Sequence, residues 1–401
     1  MRTVLTGGRV FDGTGAPFAD ADVAFEGGRI VDVGPGLDGD EGVNVSGRSL
    51  LPGLFDCHIH VTGRYEDFDE TLMLHRPFTY RFLLYPSILK QVLSLGITTI
   101  RDAGGADLGV KMAVDDGVVL GPRMQISVNM VSITGGHADP WLPSGGQSTV
   151  FGVPFPGMPD GVCDAEGVRT KVREMIRAGA DVIKIASSGG YLSPFDDPKL
   201  PHFTEEEVRD IVETAADLGR WVMSHAHGSV GIKRAVRAGV RSIEHGTFLD
   251  DEGIELMLRR GTWLVPTLTA GETTDALAAD PKIPEPVRAK LRELGRPELQ
   301  TFERAAAAGV RVAMGTDCPV APHGQNLLEL ALMSEHGFTP EQALVAATSS
   351  AADLMGLADE LGTLAPGKRA DIVIVNGDPF EFRTLADRVE AVYKDGVRVV
   401  G

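Results

Sequence analysis

Eight short apolar runs separated by amphipathic stretches constrain this chain more than any other feature. They are LFDCHIH (54–60), ITTIRDAGG (97–105), RMQISVNMVSITGG (123–136), DVIKIASSGG (181–190), WVMSHAHG (221–228), VRSIEHG (240–246), TWLVPTLTA (262–270) and VAMGTD (312–317). Each reads as a buried strand followed by a helical or loop-helix segment, and strands alternating with helices imply a parallel sheet. Eight such units over about 300 residues predict an α/β chain folded as a (β/α)8 TIM barrel rather than an open doubly wound sheet. Two helix starts carry capping boxes, Thr204 with Glu207 and Thr339 with Gln342, the second with Pro340 at the first helical position. No G-x-G-x-x-G follows the first run and no phosphate-loop motif occurs, which argues against dinucleotide and nucleotide-triphosphate chemistry.

The two ends differ from the middle and resemble each other. Residues 1–51 and 362–401 alternate short β-like runs with Gly and Asp turns, as in TVLTGGRVFDG and ADIVIVNGDP. They are expected to meet as one discontinuous β-sandwich domain, leaving 52–361 for the barrel. The net charge of −18 makes nucleic acid an unlikely partner class, and no apolar run approaches the ~20 residues that span a bilayer. With no signal-like N-terminus visible and three scattered cysteines, a cytoplasmic location is the default expectation. Neighbours in a strand alternate faces, so Cys57 and Cys318, beside metal-capable residues, are expected to pack outside the barrel.

Chemistry-bearing residues fall at the C-terminal ends of the runs, which in a barrel converge on one mouth. His58 and His60 share a strand face and supply half of a divalent-metal site. Val182, Lys184 and Ala186 share a face in the fourth run, so Lys184 is expected to be desolvated with a lowered pKa. A neutral amine there is available as a nucleophile, for a Schiff base, or for CO2 to give a carbamate that bridges two cations; a lysine reaching out to a carboxylate is the plainer alternative. His225 and His227 repeat the alternation, and His245 ends the next run. Glu244 is expected to face the helix layer in a salt bridge. Asp317 suits a metal ligand and proton acceptor, or a helix N-cap.

With these residues on the page, the chain resembles the amidohydrolase superfamily, in its imidazolonepropionase-related, Xaa-Pro dipeptidase-like branch. The resemblance runs through PGLFDCHIH, TTIRDAGG, TGGHADP, IKIASSGGYLSPFDDP, HAHG, AVRAGVRSIEHG, GTDC and GTLAPGKRADIVIVNGDP. It implies two divalent ions, zinc in the first instance. His58 and His60 hold one, a CO2-derived carbamate on Lys184 bridges both, His225 and His245 hold the other, and Asp317 ligates the first and serves as general acid/base. It further implies amide hydrolysis by a metal-bridging hydroxide, on a small molecule such as a dipeptide (Xaa-Pro or C-terminal Lys/Arg type) or an N-acyl amino acid. His137 is a candidate to polarise the scissile carbonyl, and His227, Tyr191 and His323 are candidate substrate contacts. Where Xaa-Pro-cleaving relatives carry tyrosine, this chain has His227, which departs from a strict proline preference. Deamination or cyclic-imide hydrolysis of a heterocycle is the alternative, and a non-catalytic barrel a further one. Arg64, Arg101 and Arg234 are unranked as partners for a substrate carboxylate, and a homo-oligomer is compatible with the apolar outer helices.

Overall fold

The computed structural model describes residues 1–65, 75–142, 144–147 and 157–401. The N-terminal segment forms β1 (Thr3–Val10), β2 (Ala19–Glu26), β3 (Arg29–Gly34), β4 (Glu41–Asn44) and β5 (Arg48–Pro52). The middle carries β6 (Leu54–Ile59), β7 (Ile97–Asp102), β8 (Arg123–Ile126), β9 (Met130–Ile133), β10 (Val162–Cys163), β11 (Val182–Ala186), β12 (Trp221–Ala226), β13 (Ser242–His245) and β14 (Trp263–Val265). The C-terminal segment adds β15 (Ile372–Asn376), β16 (Val389–Lys394) and β17 (Val397–Val400).

The two ends share one sheet, ordered β17-β16-β15-β5-β1-β2-β3 with β4 on β1. The join is the antiparallel β15–β5 pair, which sets Ile374 opposite Leu50. Val23, Phe25, Leu50, Ile372 and Tyr393 pack as its core, so residues more than 300 positions apart bury one another.

Every strand pairing in the middle is parallel, in the orders β6-β7-β8 and β10-β9-β11-β12-β13-β14. Paired residues in a parallel sheet point the same way, so register identifies a common face. Lys184, Met223, Ser242 and Trp263 lie side by side in one row, and Ala186, His225, Glu244 and Val265 in the next. On the opposite face Ile183, Ile185, Val222, Ile243 and Leu264 pack in the main core with Val172, Val208, Ile211, Ile232 and Met257 of the helices. The helices Glu205–Asp217 and Pro340–Ala346 start at the predicted capping boxes.

Four details depart from the sequence reading. RMQISVNMVSITGG yields two strands, because Val128 takes a left-handed conformation (φ 66°) between them. VAMGTD forms no strand of its own. It bridges β14 through Leu264 and Val312, and β6 through Ile59 and Cys318, with Cys57 N–H donating to Met314 O at 2.8 Å. Gly315 allows this crossing, since a Cβ there would lie 2.4 Å from Val265 and 2.9 Å from the His58 backbone. Glu244 faces the same side as Lys184, not the helix layer. Cys57, expected outside, packs with Trp263, Val265 and Ala313, because the β6–β7 register shifts between Asp56 and Ile59 and breaks the alternation. Cys318 does pack on the helix side with Ile59, Ala321 and Leu327.

Candidate metal centre

Two convergent donor groups stand at the C-terminal ends of the parallel strands: His58, His60 and Asp317 in one, His225, His227 and His245 in the other. Within each group the ligand-capable atoms all lie within 4.8 Å of one another. Alternation along β12 carries His225, and His227 follows two residues on. His245 and Asp317 need more than alternation. Both sit in left-handed backbone, at φ 71° and 58°, which costs on the order of 1–3 kcal/mol each for a non-glycine residue. That turn lets Glu244 and His245, neighbours in sequence, both face the site.

Hydrogen bonds assign the lone pairs. A carbonyl or carboxylate oxygen only accepts, so a ring nitrogen facing one carries the proton. His58 Nδ1 lies 2.7 Å from Glu244 Oε2, which turns Nε2 into the site, 3.2 Å from Lys184 Nζ and 3.3 Å from Asp317 Oδ1. His60 Nδ1 donates to Gly104 O at 2.8 Å, and its Nε2 also lies 3.3 Å from Asp317 Oδ1. His225 Nε2 donates to Gly189 O at 3.2 Å, which leaves Nδ1. His245 Nδ1 contacts Thr267 Oγ1 and His227 Nδ1 contacts Thr247 Oγ1, both at 2.7 Å. Outer partners that fix ring orientation in this way are characteristic of metal-ligating histidines.

Lys184 is fully buried on the shared face. Burial pushes its pKa down to about 8, against the opposing pull of Glu244 and Asp317. Burial and the neighbouring imidazoles hold His225 and His245 well below the usual histidine range, so both present neutral nitrogens. For Asp317 burial acts the other way, but the His58 and His60 contacts outweigh it and keep the carboxylate well below its usual range. The neutral imidazoles of His225 and His245, the anionic Asp317 carboxylate and a buried amine with low proton affinity make a donor set suited to divalent cations.

Around this centre lies a cavity lined by Arg64 and Arg81 and by the apolar cluster of Tyr191, Leu277, Leu291 and Val320. Tyr191 packs with the helices that follow β14, and its buried hydroxyl has no hydrogen-bond partner among the described residues. His137 stacks on His225 with ring centroids 4.2 Å apart, and Gly190 is obligatory beside it, because a Cβ there would fall 2.0 Å from the His137 ring. His137 Nδ1 meets Ser193 Oγ at 2.8 Å, and the Ser193 hydroxyl donates to Asp196.

All six predicted ligands therefore come together, and so does His227, which the sequence reading set among substrate contacts. His323 does not line the cavity. Its Nε2 donates to Gly63 O at 3.0 Å and ties two loops together. Among the arginines, Arg101 lies buried beneath the site with Glu244 (3.0 Å), and Arg234 donates to Phe203 O, so neither lines the cavity. Sequence reasoning missed Arg81, Asp196, Asp56 and Glu329: Arg81 and Glu329 lie outside the quoted motifs, and Asp56 and Asp196 lie within them but were given no role.

Such a centre defines a class, the metal-assisted hydrolases with a site at the ends of parallel strands, and comparison with known proteins agrees. The Amidohydrolase family model matches residues 49–399, and the chain belongs to that family. It is 36% identical to the ochratoxinase of Aspergillus niger over 398 residues, covering 94% of this chain and 82% of that protein. A solved Xaa-Pro dipeptidase with bound methionine in its active site superposes with a TM-score of 0.91 at 34% identity, covering all of both chains. A prolidase complexed with N-methylphosphonate-L-proline gives 0.90 at 34% identity, again over all of both chains. The protein is a hydrolase acting on carbon–nitrogen bonds. No helix among the described residues is long and apolar enough to cross a membrane.

Proposed function

We propose that this chain is a binuclear metal-dependent amidohydrolase that cleaves N-acyl amino acids or dipeptides. Its middle, 52–361, is read as a (β/α)8 barrel, and 1–51 with 362–401 as a composite β-sandwich domain. The observation that carries the reading is the placement of Lys184 Nζ 3.2 Å from His58 Nε2, on the strand face shared by both donor groups. His58, His60 and Asp317 would hold one ion, His225 and His245 the other with His227 in reach, and a carbamate on Lys184 would join them. Forming the carbamate requires the neutral amine, which a pKa of about 8 makes accessible near neutrality. The nitrogen-rich donor set favours zinc.

Divalent ions bound there would polarise the amide carbonyl and acidify a water molecule. Asp317 supplies the proton path, taking one proton from the attacking water and passing it to the leaving amine. His137, held by Ser193, stands where it can hold the carbonyl oxygen. Arg64 and Arg81 suit a substrate carboxylate, and the Tyr191–Leu277–Leu291 wall suits an apolar acyl group or side chain.

The test is a panel of N-acyl amino acids, Xaa-Pro and Xaa-Arg/Lys dipeptides, and heterocyclic imides, assayed with zinc and bicarbonate present. Turnover of carboxylate-bearing amides well above the heterocycles supports the reading. Heterocycle turnover that survives Lys184→Ala overturns it in favour of a deaminase or cyclic-imide hydrolase.

A further inference from the structure

Behind the two donor groups, outside the cavity, a short segment touches the backbone that carries both. Asn326 and Glu329 are fully buried, three residues apart, at the start of the helix Leu328–Glu335. Asn326 Nδ2 donates to Asp56 Oδ2 at 2.9 Å. Asp56 accepts in turn from His58 N (3.2 Å), Thr316 N (3.2 Å) and Thr316 Oγ1 (2.7 Å). One carboxylate thus joins the strand bearing His58 to the turn bearing Asp317.

Glu329 does the corresponding work for the other group. Its Oε1 accepts from Leu268 N at 2.9 Å, and its Oε2 from Thr269 N at 2.7 Å and Thr269 Oγ1 at 2.6 Å. These bonds hold the chain directly after Thr267, which occupies left-handed backbone (φ 52°) disfavoured for a β-branched residue. The Thr267 hydroxyl is the partner of His245 Nδ1. Removing Glu329 would leave three buried donors unsatisfied at the point where that strained conformation must be held.

We propose that Asn326 and Glu329 are positioning residues for the two metal sites, Asn326 acting through Asp56 on the His58/Asp317 group and Glu329 acting through Thr267 on His245. The proposal rests on the two-ion reading above. It goes beyond that reading in assigning each ion its own support from one segment, with opposite specificity.

Equilibrium dialysis with zinc on Asn326→Ala, Glu329→Gln, Thr267→Ala and the Thr267→Ala/Glu329→Gln pair tests it, with cobalt spectra of each variant. Outer partners of ligands typically set metal affinity by about 10- to 100-fold. Glu329→Gln and Thr267→Ala should each weaken one ion by about that factor and perturb the same cobalt band. The double variant should be little weaker than either single, because both act on one contact. Asn326→Ala should weaken the other ion. Equal weakening of both ions in every variant, additive effects of Thr267 and Glu329, or unchanged affinities would overturn the proposal. Should Glu329→Gln fail to fold, Thr269→Val removes a single donor to Glu329, and it must still weaken the same ion as Thr267→Ala. Wild-type protein that takes up only one cobalt contradicts the two-ion reading. The positioning roles are then read on that ion: a spectrum that moves in one of Asn326→Ala and Glu329→Gln supports them, and one that moves in both or in neither overturns them.

Discussion

Replacing Glu244 by glutamine should damage folding and metal binding separately, and the structure gives both magnitudes. Three donors make four contacts to this carboxylate: His58 Nδ1 at 2.7 Å, Arg101 Nη2 at 3.0 and 3.2 Å to its two oxygens, and the Ser242 hydroxyl. Glutamine keeps one acceptor oxygen and turns an NH2 toward either His58 or the Arg101–Ser242 side, so a donor faces a donor in both orientations. The Arg101 side chain is only 3% exposed and loses its counter-charge. Stranding one member of a buried ion pair costs about 3–5 kcal/mol. Urea unfolding of the metal-free protein should show a loss of that size, and zinc affinity should fall about 10- to 100-fold through His58. Adding Arg101→Met should recover much of the stability, because no charge is then stranded. It should not restore full zinc affinity, because a neutral amide oxygen holds the His58 Nδ1 proton less strongly than the carboxylate did. A Glu244→Gln protein within 1 kcal/mol of wild type and with unchanged zinc affinity would refute this account of the site's foundation.

Other consequences are open to direct measurement. Lys184→Ala should lose the joining carbamate, and kcat should fall by at least about 100-fold with bicarbonate no longer of any effect, read by steady-state kinetics. His137→Gln should lower kcat by about 10²- to 10³-fold, the scale for removing a donor to the reacting oxygen, with zinc content unchanged by elemental analysis. His202 lies outside both donor groups, and burial pushes its pKa down from 6.5 to about 4 despite Asp196 nearby. It is therefore neutral in the folded chain and protonates first in the unfolded one. Its contribution is complete above pH 6.5 and is lost as pH falls towards 4, up to about 3 kcal/mol in all. His202→Asn should flatten the stability of the metal-free protein across that window, and an unchanged slope would contradict the assignment.

What the sequence disclosed follows from how each feature is encoded. The ligands were legible because the H-x-H spacing of the first run, alternation in β11 and β12, and position at strand ends are local properties. Lys184 was legible because both flanking isoleucines point to the far face. Glu244 and Cys57 were misplaced for one reason. Each judgement assumed uninterrupted alternation, whereas left-handed backbone at His245 and a register shift after Asp56 break it. The last run was read as a strand, although Gly315 and left-handed Asp317 leave it only bridging contacts. Asp56, Asn326 and Glu329 escaped because the contacts that give them their roles, Asn326 to Asp56, Thr316 to Asp56, and Leu268 and Thr269 to Glu329, span 60 or more residues, and no periodicity reports such pairings.

The most direct test of the central claim is the zinc content of carefully desalted protein reconstituted with zinc and bicarbonate, measured by elemental analysis against quantified chain. Two ions per chain, falling in Lys184→Ala, is the predicted result. One ion or fewer in wild type, or two ions that Lys184→Ala leaves untouched, would contradict it.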